Sequence, residues 1–496
     1  MKKIILTITF AFAIITFGKS QDTLKMSLDD VIRIASAQSI DAFRNKNMYL
    51  ASYWEFRYYQ AERLPSLSLS SDLVNFTRAI SNYFNPQTKE EVYINNETLN
   101  SQMSLSLSQN IALTGGRLFL QSDIGMLKNL AGDQKPSYSS TPISIGFSQE
   151  LNGYNQLKWE SKIEPLKFEK AKKAFIQDVE DLNIKATMNF FSLINAQIQR
   201  GIAQTNLANA DTTYRIGQGR FQVGTVTQDE LLNMELSVLN AKQAFSLAQL
   251  EEKRALANLN SFLGLDKNTE IDCVVPSDIP DLQIDPDFAI SQALANNPEL
   301  LSQQQQMLEQ DENVAKAKSD AGINTSLFAQ YGLNQTADNF ADIYKQPDES
   351  QRFSVGLSIP VVDWGRRKGR LSMAKSNREV ALATLRQDRI DFEMNIMQSV
   401  LEFNLQSGQV ANSAKADTVA QMGYNVTFQR FLIGKIDVIK LNIASNDQEQ
   451  ARMAYINRLR DYWTYYFRIR SLTLYDFENK KPLMVDYDKI LENYKE

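Results

Sequence analysis

The side chains able to do chemistry in this sequence are carboxylates, amines and guanidiniums, because its 496 residues include no histidine and one cysteine, Cys273. Without imidazole the usual Ser-His and Cys-His nucleophile pairs cannot be assembled. A zinc site would have to be built from carboxylates alone, which is rare. A carboxylate pair of the glycosidase type stays open in principle, but the 58 Asp and Glu residues fall mostly on helix surfaces and mark no pair. One thiol makes no intramolecular disulfide framework, and Cys273, in DCVVP beside a turn signal, reads as a small buried apolar residue. A net charge of −5 and dispersed basic residues, with no aromatic-basic stripe, argue against a nucleic-acid partner. The chain reads as a non-enzyme that needs no cofactor.

Two heptapeptides stand out by position. RFQVGTV, Arg220 to Val226, reappears as RFLIGKI, Arg430 to Ile436, and 430 − 220 = 210. Upstream, Gly146 in ISIGFS and Gly356 in FSVGLS are also 356 − 146 = 210 apart. Loops drift in length, whereas a packed helix that loses one residue rotates its apolar stripe by about 100°. The chain is therefore an internal duplication of strand, long helix, tight turn and helix. Gly224 and Gly434 suit the left-handed backbone of a tight reversal. Phe221 and Phe431 can bury against a neighbouring hairpin, and Arg220 and Arg430 sit near a helix C-terminus, where the dipole favours a cation.

The elements that carry these turns follow from periodicity. Residues 1–20 read as a secretory signal, with Lys2 and Lys3 before the apolar run Ile4 to Phe17 and a cut near Gln21; an uncleaved anchor is the alternative. No cysteine follows the signal to carry a lipid. A helix is expected from Ser27, its cap, to about Arg63. Leu64–Phe76 and Met103–Leu113 alternate apolar with small polar residues, as two-faced strands do, with a polar loop expected between them to about Asn100. Arg117–Leu127 and Pro142–Leu151 are the next strand candidates, and Ile323–Asn334 and Arg352–Val362 those of the second half. That gives four strands and then two; the alternative is two and two, with residues 114–141 as a loop.

Helices are expected over Asn155 to about Ile216 and over Gly365 to Tyr424, rods of about 90 Å at 1.5 Å per residue. In the first, Phe168, Ala171, Phe175, Val179, Leu182, Ala186, Phe190 and Leu193 step by three and four like a coiled-coil seam. Val226–Leu263 and Ile436–Leu474 return. The domain plan is thus a first repeat over 21–266, an irregular connector over 267–285, a second repeat over 286–476 and a charged peripheral tail over 477–496.

A signal, amphipathic strands and long helical rods suit an outer-membrane barrel. Six strands cannot enclose a pore alone, and lipid does not tolerate open sheet edges, so several chains must share it. The sequence resembles the TolC-like outer-membrane efflux protein family. The likeness is carried by RFQVGTVTQDELL, RFLIGKIDVIKL, LPSLSLS, GLSIPVVDWG and the 210-residue duplication. The resemblance implies a mainly α fold with membrane β: a homotrimer with one shared β-barrel and an α-barrel crossing the periplasm. The family's usual barrel has twelve strands, where six per chain would make eighteen.

It further implies an exit duct in the outer membrane of a Gram-negative bacterium, serving a periplasmic adaptor and an inner-membrane pump, proton-driven or ATP-driven. The turns Arg220, Phe221, Val223, Gly224, Thr225 and Arg430, Phe431, Ile433, Gly434, Lys435 would dock the adaptor; the plain alternative is that they are only turns. Family members commonly gate with acidic residues six and nine positions past the tip glycine. Here those positions hold Glu230 and Asn233, then Lys440 and Ile443, so only Glu230 matches. Asp229 and Asp437 stand nearby as substitutes, against ordinary solvated helix carboxylates. At the other end Trp364 suits an interfacial girdle. Arg366 and Arg367, with Lys368 and Arg370, oppose a helix dipole and so suggest lipid phosphate, or else plain solvation. The rival to the duct is a secreted coiled-coil adhesin or scaffold, and a periplasmic hydrolase is the third class.

Overall fold

The computed structural model describes residues 24–87, 89–130, 135–276, 279–359 and 361–495, so the expected signal lies outside the described residues. In chain order the elements are β1 (Leu24–Met26), α1 (Leu28–Gln38), α2 (Ile40–Glu62), β2 (Ser66–Asn85), β3 (Glu90–Ile111), β4 (Gly116–Asn129) and β5 (Ser137–Glu150). The first long hairpin is α3 (Gln156–Gln222) and α4 (Gln228–Leu263), followed by β6 (Ile271–Cys273), α5 (Pro286–Asn296) and α6 (Pro298–Ala321). Then come β7 (Asn324–Ala337), β8 (Asp348–Ser358), α7 (Arg366–Leu432), α8 (Val438–Thr473), β9 (Tyr475–Asp476), β10 (Lys481–Pro482) and α9 (Tyr487–Lys495).

The duplication is carried to the residue. Helices α3 and α7 have 67 residues each, and α4 and α8 have 36 each. Both ends of each pair are offset by 210, as in 366 − 156 and 473 − 263. At about 1.5 Å per residue the long helices run about 100 Å. The repeats are not the spatial units, however. One compact unit comprises the chain up to Lys46, Ile176–Ala295 and Asn395–Ile490; the other comprises Asn47–Phe175, Asn296–Met394 and the chain from Leu491.

The second of these units holds a six-stranded antiparallel sheet in the order β2-β3-β4-β5-β7-β8, which is the four-plus-two arrangement. Register gives it two faces, because residues directly opposite one another share a side. Leu67, Leu107, Leu120, Ile145 and Tyr331 form one cross-strand row. Ser68, Ser106, Gln121, Ser144 and Gly332 form the neighbouring row on the opposite face. That polar face is tied by Ser68 Oγ to Ser106 Oγ at 2.8 Å and Gln330 Nε2 to Ser144 Oγ at 3.1 Å.

The strands outrun the expectation. The loop expected between Phe76 and Asn100 is instead the outer half of the β2–β3 hairpin, strands of 20 and 22 residues. Polar residues stay in the ladder because they pair across it. Arg78 Nε meets Glu97 Oε1 at 2.8 Å, and Asn82 Nδ2 donates to Glu91 Oε2 at 2.9 Å. At about 3.3 Å per residue β2 spans about 65 Å, twice the ~30 Å hydrocarbon core. Beneath the sheet in the same unit, Phe168 stacks on Phe56 at 4.6 Å, and Arg378 Nε meets Asp311 Oδ1 at 2.6 Å.

In the first unit the seam residues Val179 to Leu193 behave largely as expected: Leu182, Ala186, Phe190 and Leu193 are buried, with Leu259, Phe403, Ile456 and Tyr462. Three details depart from the sequence reading. The single helix expected from Ser27 breaks at Ser39, whose hydroxyl accepts from Ala42 N at 3.0 Å and so caps α2 as a separate helix. The second half breaks in the same way at Asn297, ahead of Pro298. The connector is not wholly irregular, since β6 pairs in parallel with β1. Side-chain amides stand in for further strands: Gln197 clasps Ile271 O and Cys273 N at 2.7 and 3.2 Å, and Asn404 clasps both backbone groups of Ile284 at 2.8 and 3.0 Å. The tail begins packed rather than peripheral, with Phe477 buried against Phe288 and Tyr475.

Cys273 is half-buried, less than expected. Burial, aided by the Asp272 carboxylate, pushes its thiol up to about 12. Only the thiolate is nucleophilic, so at pH 8 the folded protein should react with a thiol reagent hundreds of times more slowly than the unfolded chain, on the order of the lost thiolate fraction. Equal labelling rates with and without denaturant would contradict this.

Candidate functional site

The two tip turns have one backbone construction. Gly224 and Gly434 have φ of +73° and +74°, the left-handed conformation in which a side chain is strained. Gly224 N donates to Phe221 O at 3.0 Å and Thr225 N to Arg220 O at 2.9 Å; Gly434 N and Lys435 N repeat this on Phe431 O and Arg430 O at 2.9 and 3.0 Å. This nested pair of bonds is the Schellman closure of a helix, which satisfies its last carbonyls. Each return helix then opens on a capping side chain. Thr227 Oγ1 accepts from Glu230 N at 3.4 Å while Glu230 Oε2 accepts from Thr227 N at 2.9 Å, a reciprocal capping box. In the second tip Asp437 Oδ1 accepts from Lys440 N at 2.8 Å.

The expected aperture residues are therefore first of all helix caps. Glu230 and Asp437 are exposed yet occupied by backbone amides, and Lys440 contributes its amide to the cap, its side chain being exposed. Asp229 is exposed, and the Thr227 hydroxyl holds its carboxyl below the usual carboxylate range. Thr227 was missed by sequence reasoning, although TQDE over 227–230 is a legible capping signature.

Side-chain packing at the tips is unequal. Phe431 is 2% exposed, in a cluster with Tyr424 and Leu441, while its counterpart Phe221 is 42% exposed. Arg220 makes the difference: its guanidinium lies 5.9 Å from the Phe431 ring centroid, and its Nη2 donates to Leu432 O at 3.3 Å. Arg430 is exposed, as are Val223, Thr225, Ile433 and Lys435. Behind the tips, Asn209 Nδ2 donates to Tyr424 Oη, and burial raises that phenol above its ordinary value.

In the other unit Trp364 is exposed in a left-handed conformation. The cations that follow it have an answer the sequence reading lacked. Asp363 heads the helix, its carboxylate accepting from Gly365 N at 3.0 Å and Arg367 N at 3.2 Å, with Arg367 Nε 3.8 Å away. An anion thus sits at the helix start, where the dipole favours one, and Arg366 is left exposed. Arg370 reaches Asp320 at 3.5 Å. Among the described residues no cluster of three or more His, Cys, Asp or Glu is placed to hold a metal, and no helix is long and apolar enough to cross a membrane.

Twin Schellman tips on 67-residue helices, joined to a two-faced sheet, coincide with a sequence-family match. The profile of the outer membrane efflux proteins matches residues 57–265 and 289–473, most of the chain. The chain belongs to the outer membrane efflux protein family. Family membership makes it a channel protein of the outer membrane that extends into the periplasm, not an enzyme, and sets aside the secreted adhesin and the hydrolase. No curated protein matches the sequence. Among solved structures it is similar in fold to the Campylobacter jejuni CmeC outer membrane channel, with a TM-score of 0.65 at 16% identity over 94% of this chain and 88% of that one. The Vibrio cholerae outer membrane protein VceC matches at 0.61 and 11% identity, over 92% and 97%. The Neisseria gonorrhoeae MtrE channel in its open state matches at 0.60 and 13%, over 92% and 91%.

Proposed function

We propose that this efflux protein is the passive exit duct of a multi-component export machine, tripartite efflux or type I secretion, and works as a homotrimer. The observation that carries the reading is the sheet: six strands, one apolar face, and edges at β2 and β8 that pair with nothing among the described residues. Open edges are not tolerated in lipid. Closure of β8 onto β2 of another copy satisfies them, and three chains of six strands make an eighteen-stranded wall with serines and glutamines facing the lumen. The exposed tip residues Val223, Thr225, Ile433 and Lys435 form the surface offered to a periplasmic adaptor, through which an inner-membrane pump supplies the energy. Trp364 and Arg366 face outer-membrane lipid at the rim.

The tip carboxylates Asp229, Glu230 and Asp437, in three copies around a narrow aperture, would attract cations strongly. Their capping roles permit a clean test. Glu230→Gln keeps the capping box and Asp437→Asn keeps a good N-cap, so the double variant removes charge without removing either cap. Purified protein in a planar bilayer should conduct in discrete steps, with divalent cations blocking from the tip side. In the double variant the blocking concentration should rise on the order of tenfold. Unchanged block would remove the aperture assignment; a water-soluble monomer without conductance would remove the duct.

A further inference from the structure

On the polar face of the sheet two aromatic rings interrupt the serines and glutamines. Phe119 lies two residues before Gln121 on β4, and Phe328 lies four residues before Gly332 on β7, so both side chains belong to that face. Pairing carries the same face to Arg117, opposite Ser148, and to Arg352, opposite Gln330. The four side chains touch in sequence across the sheet. Arg117 Cζ lies 6.0 Å from the Phe119 ring centroid, the Phe119 and Phe328 rings stack with centroids 6.0 Å apart, and Arg352 Cζ lies 5.4 Å from the Phe328 centroid.

Gly146 is what lets the rings meet. It lies on β5, paired with Phe119 on one side and Gln330 on the other. A Cβ at Gly146 would come within 2.2 Å of the Phe119 ring, far inside the contact distance of two carbons, so the ring lies over bare backbone and reaches Phe328. Gly356, the equivalent glycine 210 residues on, meets a different neighbour: a Cβ there would stand 2.6 Å from the Ser326 hydroxyl. Both rings are half-buried, and both guanidiniums are exposed. Among the described residues neither guanidinium has a carboxylate partner. The acidic residues of the same face stand in other rows. Asp123 accepts from Gln121 Nε2 at 2.9 Å, Glu150 stands opposite Ser326, and Asp348 stands opposite Asn334.

Aromatic surface left open on a watery face marks a place where something binds, and unpaired cations on such a face draw anions. One class of ligand answers both features. A flat apolar ring laid on Phe119 and Phe328 puts its own carboxylate or sulfonate within reach of a guanidinium, whose forked donors match two such oxygens at once. We propose that Arg117, Phe119, Phe328 and Arg352 form a binding site for aromatic organic anions on the lumenal wall of the barrel. The proposal rests on the duct reading, whose lumen this face lines, and deepens it by naming a class of cargo. Gly116 and Asn324 begin their strands, so the site stands near the end of the sheet that joins the helices, where cargo enters the barrel. Two guanidiniums in each of three chains would ring the lumen, as anion pathways are built.

Block of single-channel current in a planar bilayer tests the site, with naphthalenesulfonate as the aromatic anion and sulfate as the plain one. Naphthalenesulfonate should block the wild-type channel at a concentration about tenfold below that of sulfate. Arg117→Gln and Arg352→Gln should each raise its half-blocking concentration about tenfold, the loss of one charge-assisted contact. Phe328→Leu and Gly146→Ala should raise it about threefold or more while sulfate block stays where it was; should Gly146→Ala fail to assemble, Phe328→Leu carries that arm alone. Lys128→Gln removes a cation from the opposite face, where Lys128 stands opposite Leu99, and should change neither block. If the channel conducts but naphthalenesulfonate blocks no better than sulfate, or the site variants block like the wild type, the rings merely cover Gly146. The anion site is then overturned while the duct stands. A wild-type protein that does not conduct overturns both.

Discussion

Arg470→Met should cost the folded protein about 3–5 kcal/mol, because removing one partner of a buried ion pair strands the others. The guanidinium forks onto Glu180, with Nε and Nη2 each 2.9 Å from a carboxylate oxygen, and Nη1 reaches Asp476 Oδ2 at 3.2 Å. All three side chains are largely buried, Glu180 and Asp476 almost completely. Burial by itself would lower the basicity of Arg470, yet its contacts with Glu180 raise it well above the ordinary value. Burial would likewise raise Asp476, but the Asn479 amides and Arg470 hold it below 3.8. A depressed folded value means that the Asp476 contribution is present above about pH 4 and is lost as pH falls through the folded value. The measurement is the denaturant midpoint in detergent. Pairing Arg470→Met with Glu180→Gln should recover part of the loss, since no unpaired Glu180 charge then stays buried. A single variant with an unmoved midpoint would show that the cluster holds nothing together.

Leu107→Arg and Ser106→Arg, one residue apart on β3, should behave oppositely. Leu107 lies in the apolar row opposite Leu67 and Leu120, and Ser106 in the polar row opposite Ser68 and Gln121. An arginine on the lipid face costs about 2–4 kcal/mol near the bilayer midplane, while a lumenal one is solvated. The cost recurs in each copy of the assembly. The Leu107 variant should therefore vanish from the outer-membrane fraction and lose its heat-modifiable band, and the Ser106 variant should insert normally. Equal loss in both would mean that the sheet does not have one lipid face and one watery face.

The parts legible in advance share a property: each repeats a rule locally. The tip glycines were legible because RFxxG occurs twice and only a residue tolerant of positive φ closes a helix that tightly. Four strands and then two were legible from alternation and parity. Strand length was not, because Arg78, Asn82, Glu91 and Glu97 read as loop residues until their cross-strand partners are known. The breaks at Ser39 and Asn297 were obscured for a related reason, since a serine or asparagine inside a helix-like stretch looks the same whether it caps or is merely tolerated. The Arg366–Arg367 pair looked like an unanswered charge because Asp363, three residues before Arg366, had not been recognised as the cap.

The duplication and the helix lengths that follow from it can be read from the residues alone, because any insertion would turn one packed stripe away from its partner. Which equivalent residues differ emerges only from the packed fold. Arg470, Glu180 and Asp476 come together from positions as much as 476 − 180 = 296 residues apart, and nothing in their local spacing signals it. Phe221 and Phe431 are the same residue in the same motif, yet one is covered by Arg220 and the other is not. That difference depends on which hairpin lies alongside, a property of packed neighbours rather than of the motif.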